Sequence, residues 1–333
     1  MTFDQAYSHK LFTFDMAGEV DRLCAQLRSL LVQPLKRRGL VVGISGGIDS
    51  SVCLALAVKA LGPEKVMALQ MPELHSAEET LGISGRLAEH FGVSAIHEDI
   101  TPILQSVHFY ERYDQAVQQV IPEYGQGWKS KITIPDVAEN QGFTYFNIVA
   151  ESPLGQVVKK RLPLNAYLAI VAATNFKQRI RKMLEYYYAD RKHYAVIGTP
   201  NRLEYDQGFF VKLGDGAADI KPIAHLYKTQ VYMLAQFLDV PAEIQNRRPT
   251  TDTYSLPQGQ DEFYFSLPYE RMDICLYGIN NGLPIAEVAQ GAGLTQEQVE
   301  RVYRDIETKR KTTRYLQLAP LLIGSVPEIS SSW

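Results

Sequence analysis

Cysteine is scarce in this chain: Cys24, Cys53 and Cys275 are the only three among 333 residues. They form no CxxC pair and no metal spacing, which excludes a disulfide framework and a zinc ribbon. A reduced, cytoplasmic compartment is the expectation, with Cys53 as core filler. Long apolar runs are lacking too. No stretch approaches the roughly 20 residues of a membrane span, and Met1–Met16 mixes Asp, His and Lys where a secretory signal would be apolar. No excess of one charge exists either. With 34 basic and 37 acidic side chains the formal charge is −3, so there is no basic field for nucleic acid. Internal repeats and low-complexity tracts are also missing. A composition of 46% hydrophobic and 21% charged residues remains, ordinary for a globular chain with a substantial core.

The most informative segment runs Val41-Val42-Gly43-Ile44-Ser45-Gly46-Gly47-Ile48-Asp49-Ser50-Ser51. A hydrophobic strand breaks into a small-residue loop and reopens as a helix, expected over Ser50–Leu61. Gly43, Gly46 and Gly47 allow the backbone to wrap an oxyanion with no Cβ in the way. The helix N-terminus adds unpaired N–H groups and a positive dipole end, while Ser45, Ser50 and Ser51 add hydroxyls. Asp49 would repel phosphate unless a cation lay between them, so it is read as a Mg²⁺ ligand. An ordinary capping turn explains Asp-Ser but needs neither three glycines nor the flanking serines. Neither Gly-Lys-Ser/Thr nor Gly-x-Gly-x-x-Gly is present, so this is neither a Walker loop nor a dinucleotide fingerprint.

Strand-like runs at Leu40–Ile44, Lys65–Gln70, Ala95–His97 and Tyr194–Gly198 alternate with amphipathic stretches such as Ser76–Phe91. That rhythm predicts βαβ units and a doubly wound parallel sheet with helices on both faces. The ligand site is then expected beyond the carboxyl ends of the strands, where the Ser45 loop lies. Ala17–Leu35 has helical periodicity, with Val20, Leu23, Leu27 and Leu31 on one face. Residues Thr101–Pro163 break the rhythm with prolines, glycines and aromatics, an excursion from a single 1–333 domain. Within it Phe143–Val149 and Gln156–Arg161 flank Ser152-Pro153-Leu154-Gly155 as a candidate hairpin.

A long helix is predicted over Leu164–Asp190, with Asn175, Arg179, Met183 and Tyr186 along one side and Lys177 and Arg181 along another. Solvated surface charge is the plain alternative for these cations. The next strand ends in Gly198-Thr199-Pro200-Asn201-Arg202-Leu203-Glu204, which brings Thr199 and Glu204 to the sheet edge of the phosphate loop. Glu204 is expected to face Asp49 across one metal ion. Gly208–Asp219 is a small-residue loop with two acids, for which capping aspartates are the alternative. Lys228 opens a helix predicted over Tyr227–Leu238.

The loop Ser45–Ser50 resembles the SGGxDS loop of the ATP pyrophosphatase superfamily, whose members have a flavodoxin-like, adenine nucleotide alpha hydrolase-like fold. The chain from Ala17 to Leu322, apart from the excursion, resembles ammonia-dependent NAD synthetase. The family's NxKxRxR helix appears as Asn175–Arg181 and its GFFxKxGDGxAD stretch as Gly208–Asp219. Leu226-Tyr227-Lys228, Pro249-Thr250-Thr251-Asp252, Gln260-Asp261-Glu262, Leu267-Pro268-Tyr269, Met272-Asp273 and Glu307-Thr308-Lys309-Arg310 follow in order.

The resemblance implies an ATP site of Gly43, Ser45, Gly46, Gly47, Ser50, Thr199, Lys228 and Thr250, with Mg²⁺ on Asp49 and Glu204. It also implies that Arg179, Lys212, Asp219 and Lys309 contact deamido-NAD, and that Asp215 holds or deprotonates the incoming ammonium. Mg²⁺ and Lys228 would neutralise charge as pyrophosphate leaves. The substrate carboxylate forms an acyl-adenylate, and ammonia displaces AMP. A homodimer is implied, with Ala17–Leu35 and the long helix through Asn175 at its interface.

There are three departures from the family pattern. Lys182 stands where Met is usual, Pro200-Asn201-Arg202 replaces an acidic or small-residue stretch, and Thr308 replaces a His-like residue. A nitrilase-like glutaminase domain has no room before residue 40, so the expected nitrogen source is free ammonia or ammonia from a separate glutaminase. Two other readings stay open: a related ligase that adenylates a different carboxylate, and a catalytically silent nucleotide-binding module.

Overall fold

In a computed structural model of the protein, the described residues are 13–76, 78–134, 145–247, 249, 253–259, 264–265, 267–324 and 326. The first helix, α1 (Met16–Val32), is capped by Asp15, whose side chain accepts from Gly18 N, and buries Val20, Leu23, Leu27 and Leu31. β1 (Leu40–Gly43) follows and hands over to α2 (Ile48–Leu61). β2 (Val66–Gln70), α3 (Glu78–His90) and β3 (Ala95–His97) complete two βαβ units. The last strand of the sheet, β7 (Ala195–Val196), comes only after the long segment described below. The order is β3-β2-β1-β7 with every pairing parallel, Leu40 lying opposite both Val66 and Ala195.

Both faces of this sheet are buried, as its near-continuous apolar strands require. Leu40, Val42, Val66, Ala68 and Ala195 point into one core with α1 and α2, whereas Val41, Leu69 and Val196 point into another. The period of two in the strands thus divides the interior into two layers.

The second layer is where the Thr101–Pro163 segment belongs. It folds as α4 (Thr101–Ser106), α5 (Phe109–Gln118) and an antiparallel sheet of β4 (Lys129–Thr133), β5 (Asn147–Glu151) and β6 (Val157–Arg161). The candidate hairpin is β5 and β6, paired from Asn147↔Arg161 to Glu151↔Val157; residues 143 and 144 lie outside the described residues. Phe109, Tyr113, Ile132, Ile148 and Ala150 share a core with Val41 and Leu69. An expected excursion therefore supplies one of the two hydrophobic layers on the parallel sheet. Its short apolar runs obscure this in sequence, because their burial partners lie far along the chain.

The long helix α6 (Leu164–Lys192) completes that layer and ends at His193 in the left-handed region. α7 (Arg202–Gln207), α8 (Lys228–Phe237) and α9 (Ala242–Gln245) follow. A third core of Leu276, Val288, Val299, Val302 and Ile306 binds α10 (Tyr269–Asn281), α11 (Ile285–Ala292) and α12 (Gln296–Thr313) into a helical layer reaching Leu203 and Tyr227. Among the described residues no helix is long and apolar enough to cross a membrane, and all three cysteines are free and buried.

Candidate active site

The phosphate-type loop lies at the carboxyl end of β1. Ile44 N donates to Leu69 O at 2.8 Å, which keeps the chain on the sheet for one more residue. Gly46 then turns at φ +69°, a left-handed conformation costly for any residue with a Cβ. Gly47 is the N-cap of α2 without a side-chain cap, so the first turn of that helix keeps amides for a ligand. The hydroxyls of Ser50 and Ser51 bond back to Gly47 O at 3.0 and 2.8 Å, which stiffens the turn. Ser45 Oγ accepts from Gly47 N at 3.4 Å.

Across from the loop stand Asp49, Lys228, Asn201 and Glu204. The Lys228 ammonium donates to Asp49 Oδ2. Asn201 Nδ2 donates to Asp49 Oδ1 at 2.9 Å, while Asn201 Oδ1 accepts from the Leu203 and Glu204 amides at 2.9 and 3.3 Å. Glu204 completes a capping box by accepting from Asn201 N at 3.1 Å. Burial first, and the Asp49 charge second, push the Glu204 carboxyl up to about 8. Burial works against the Lys228 cation, but Asp49 and Glu204 outweigh it and hold the group above its ordinary value. Asp273 on α10 fixes Lys228 from behind by accepting from the Lys228 and Thr229 amides at 3.3 and 2.7 Å.

Asp49 thus stands close enough for its charge to act on the Glu204 carboxyl. Among the described residues no group of three acidic, His or Cys side chains forms a metal cage. One or two carboxylates with room for water and phosphate oxygens suits Mg²⁺, and Asp49 beside the buried Glu204 carboxyl places two acids where a cation would relieve both the burial and the like charge. The residues present fit the ion.

The loop and this cluster open into one cavity of about 1170 Å³. Gly43, Ser45, Gly46, Gly47, Asp49, Ser50, Thr199, Glu204 and Lys228 line it, as do Arg179, Lys212 and Asp215. Thr250 lies outside the described residues. Asp215 accepts from Val211 N at 2.8 Å, and burial raises its carboxyl above the ordinary range. Lys212 reaches the cavity while donating to Tyr315 O and Leu318 O at 2.8 and 3.1 Å, and Arg179 donates to Lys212 O at 3.4 Å.

Two expected substrate contacts do not line the cavity. Asp219 accepts from Val196 N at 2.7 Å and from Tyr186 Oη at 3.3 Å, which pins it beside β7. Lys309 donates to Tyr264 O and Asp305 Oδ2, both at 2.6 Å, within the helical layer. Lys177, from the same helix motif as Arg179, is no surface cation: it is buried against Glu73 at 2.7 Å.

Several lining residues escaped the sequence reading. Arg247 has Nη1 3.5 Å from where a Cβ on Gly46 would lie, which adds a guanidinium to the phosphate loop; its neighbours Pro249-Thr250 were the available signal. Asn201, which holds Asp49 from behind the cavity wall, lay within a stretch noted only as a departure. Glu185 on α6 pairs with Lys182 at 2.6 Å. From the inserted segment come Trp128 and Phe146, the latter stacked on Tyr167 with ring centroids 4.1 Å apart at 15°. Aromatic residues in an irregular stretch carry no signal of which cavity they face.

Comparison with known proteins gives the family and the fold. The family model for NAD synthase matches residues 19–128 and 129–314. An NH3-dependent NAD+ synthetase of Rhizobium meliloti is 56% identical over 323 residues, covering 97% of this chain and 96% of the relative. Among solved structures, an NMN synthetase from Francisella tularensis superposes with a TM-score of 0.62 at 22% identity, covering 93% of this chain and 99% of that one. An NH3-dependent NAD synthetase from Campylobacter jejuni gives 0.61 at 20% identity, covering 93% of this chain and all of the other. At that identity the two structures speak for the fold alone.

Proposed function

The chain belongs to the NAD synthase family, and from that premise we propose that it converts deamido-NAD and ammonia to NAD at the expense of ATP, releasing AMP and pyrophosphate. The observation that carries this reading is the joining of the phosphate loop, the Lys228 cluster and Asp215 in one cavity of about 1170 Å³. Ligand pockets of ordinary size run to about 1,000 Å³; a site that holds ATP beside a dinucleotide needs the upper end of that range or more.

The loop from Ser45 to Ser50 and the open amides of α2 bind the departing pyrophosphate, with Arg247 adding charge from the far side. Thr199 and Lys228 hold the remaining ATP phosphate oxygens, and Lys228 stabilises negative charge as the α–β bond breaks. Asp49 and Glu204 would hold Mg²⁺, which would supply further charge neutralisation there. Arg179 and Lys212 orient the acid so that its carboxylate meets the α-phosphate. Asp215, in a buried loop, receives the ammonium. The stacked Phe146 and Tyr167 offer a wall for an aromatic ring of the dinucleotide.

This is one domain with the 101–163 segment built into its second layer, working in the cytoplasm, where three buried free thiols remain reduced. The active form is a homodimer supplied with free ammonia. Pyrophosphate release with ATP, Mg²⁺ and ammonium, followed by mass identification of the product, tests the reading. Release that depends on deamido-NAD and yields NAD supports it. Release with another carboxylate alone overturns the substrate, and none with any acid overturns the ligase.

A further inference from the structure

Amide formation from ammonium removes two protons from nitrogen, one before attack and one after. A single carboxylate such as Asp215 can accept only one of them at a time. Glu185 supplies a second candidate. It is 6% exposed, lines the cavity and belongs to α6 rather than to the Asp215 loop.

Its two oxygens are in different situations. Oε2 accepts from Lys182 Nζ at 2.6 Å, whereas Oε1 accepts no hydrogen bond among the described residues. Oε1 lies against the phosphate loop, 2.9 Å from where a Cβ on Gly43 would sit, so the absence of a side chain at Gly43 leaves it room. Glu185 lines the cavity, so this oxygen, which has no donor from the described residues, is free to accept from a ligand bound there. The Lys182–Glu185 pair is itself enclosed, with side chains 7% and 8% exposed. Buried ion pairs of this kind are often no better for stability than apolar side chains of equal volume. Lys182 is also the position that departs from the family's usual Met.

We propose that Glu185 Oε1 forms, with Asp215, the ammonium site, and that Glu185 takes the first proton while Lys182 holds its other oxygen in place. The inference rests on the amide-ligase reading above. In the first step an N–H bond of ammonium breaks, its electron pair stays on nitrogen, and the proton forms a bond to Glu185 Oε1. The lone pair then attacks the acyl carbon of the adenylate, and the C–O bond to AMP breaks with its electrons leaving on the phosphate. The new C–N nitrogen sheds the second proton to Asp215. Burial raises both carboxyls, Glu185 further through the nearby Asp215 charge and against the pull of Lys182 and Arg181. Each is thereby a stronger base for its task.

The test uses the full chain as Glu185→Gln and as Lys182→Met/Glu185→Gln, the double variant leaving no lone buried charge. Adenylation is followed by deamido-NAD-dependent exchange of pyrophosphate into ATP, and amidation by kcat/KM for ammonium and, separately, for hydroxylamine, which attacks as a neutral molecule. In both variants the expected result is a loss of about 10²-fold or more with ammonium, a clearly smaller loss with hydroxylamine, and exchange within about threefold of the unaltered protein. Equal losses with the two nucleophiles, a parallel loss of exchange, or an unchanged ammonium kcat/KM in the double variant would each overturn the proposal. Failure of the unaltered protein to exchange with deamido-NAD is a separate result that counts against the ligase reading itself.

Discussion

Asn201 donates its side-chain amide to Asp49 at 2.9 Å across 152 residues of sequence, and with its carbonyl oxygen caps the helix that presents Glu204. One buried amide thus sets the spacing of both carboxylates read as holding Mg²⁺. Asn201→Ala removes an N-cap, about 1 kcal/mol, and frees Asp49 to turn toward Lys228 alone. The expected outcome is a lower thermal midpoint together with several-fold more Mg²⁺ for half-maximal pyrophosphate release. A Mg²⁺ titration unchanged from that of the original protein would count against the positioning.

Lys228→Met leaves Asp49 and Glu204 without their common cation. Removing one partner of a buried pair is destabilising by about 3–5 kcal/mol, and pyrophosphate release is expected to fall by at least about 10²-fold. Urea unfolding and burst-phase pyrophosphate release measure the two effects separately.

Asp273 predicts a dependence on pH. Burial pushes its carboxyl up to about 7 despite the two backbone amides it accepts. A raised acid binds its proton more tightly in the folded chain, so its contribution to stability is complete below the unfolded value of 3.8 and is lost as pH rises toward about 7. Asp273→Asn abolishes that slope. Urea midpoints of the variant should therefore gain on those of the original protein between pH 4 and pH 7; parallel curves would refute the assignment.

At Gly46 the φ of +69° strains any residue with a Cβ, and Ile83 Cγ2, 3.3 Å from a Cβ placed there, would have to give by a few tenths of an ångström. Gly46→Ala is expected to cost about 1–2 kcal/mol in the loop conformation. The KM for ATP should rise about tenfold or more, with the ammonium dependence little altered; steady-state titration of each substrate reads both.

Phe146→Ala tests whether the 101–163 segment serves the substrate. Loss of the ring that stacks on Tyr167 is expected to raise the KM for deamido-NAD by about three- to tenfold, an aromatic pair being worth about 0.5–1.5 kcal/mol. The KM for ATP should stay where it was.

The elements and the loop were legible because both are local. The strands β1, β2 and β3 and the helices α1, α6 and α8 follow from periodicity within a few residues of the observed ends, and the glycine loop declares its ligand through backbone freedom alone. The long parallel topology followed from the alternation of the two. The inserted segment was read as an interruption because its buried partners, such as Val41 and Leu69, belong to strands far upstream.

What the sequence determined, then, was the kind of chemistry: a phosphate cradle, acids and a lysine at one sheet edge, and a family pattern that names the reaction. What only the tertiary structure decided was which of those groups meet. It joined Asp49 to Lys228 and Asn201, paired Asp219 with Val196 N and Lys309 with Tyr264 O, both just behind the cavity lining, and brought Glu185 beside Gly43. The reason is physical. Periodicity and glycine content act over a few residues, whereas ion pairs, caps from distant helices and shared burial act through space between segments that the chain order does not place together.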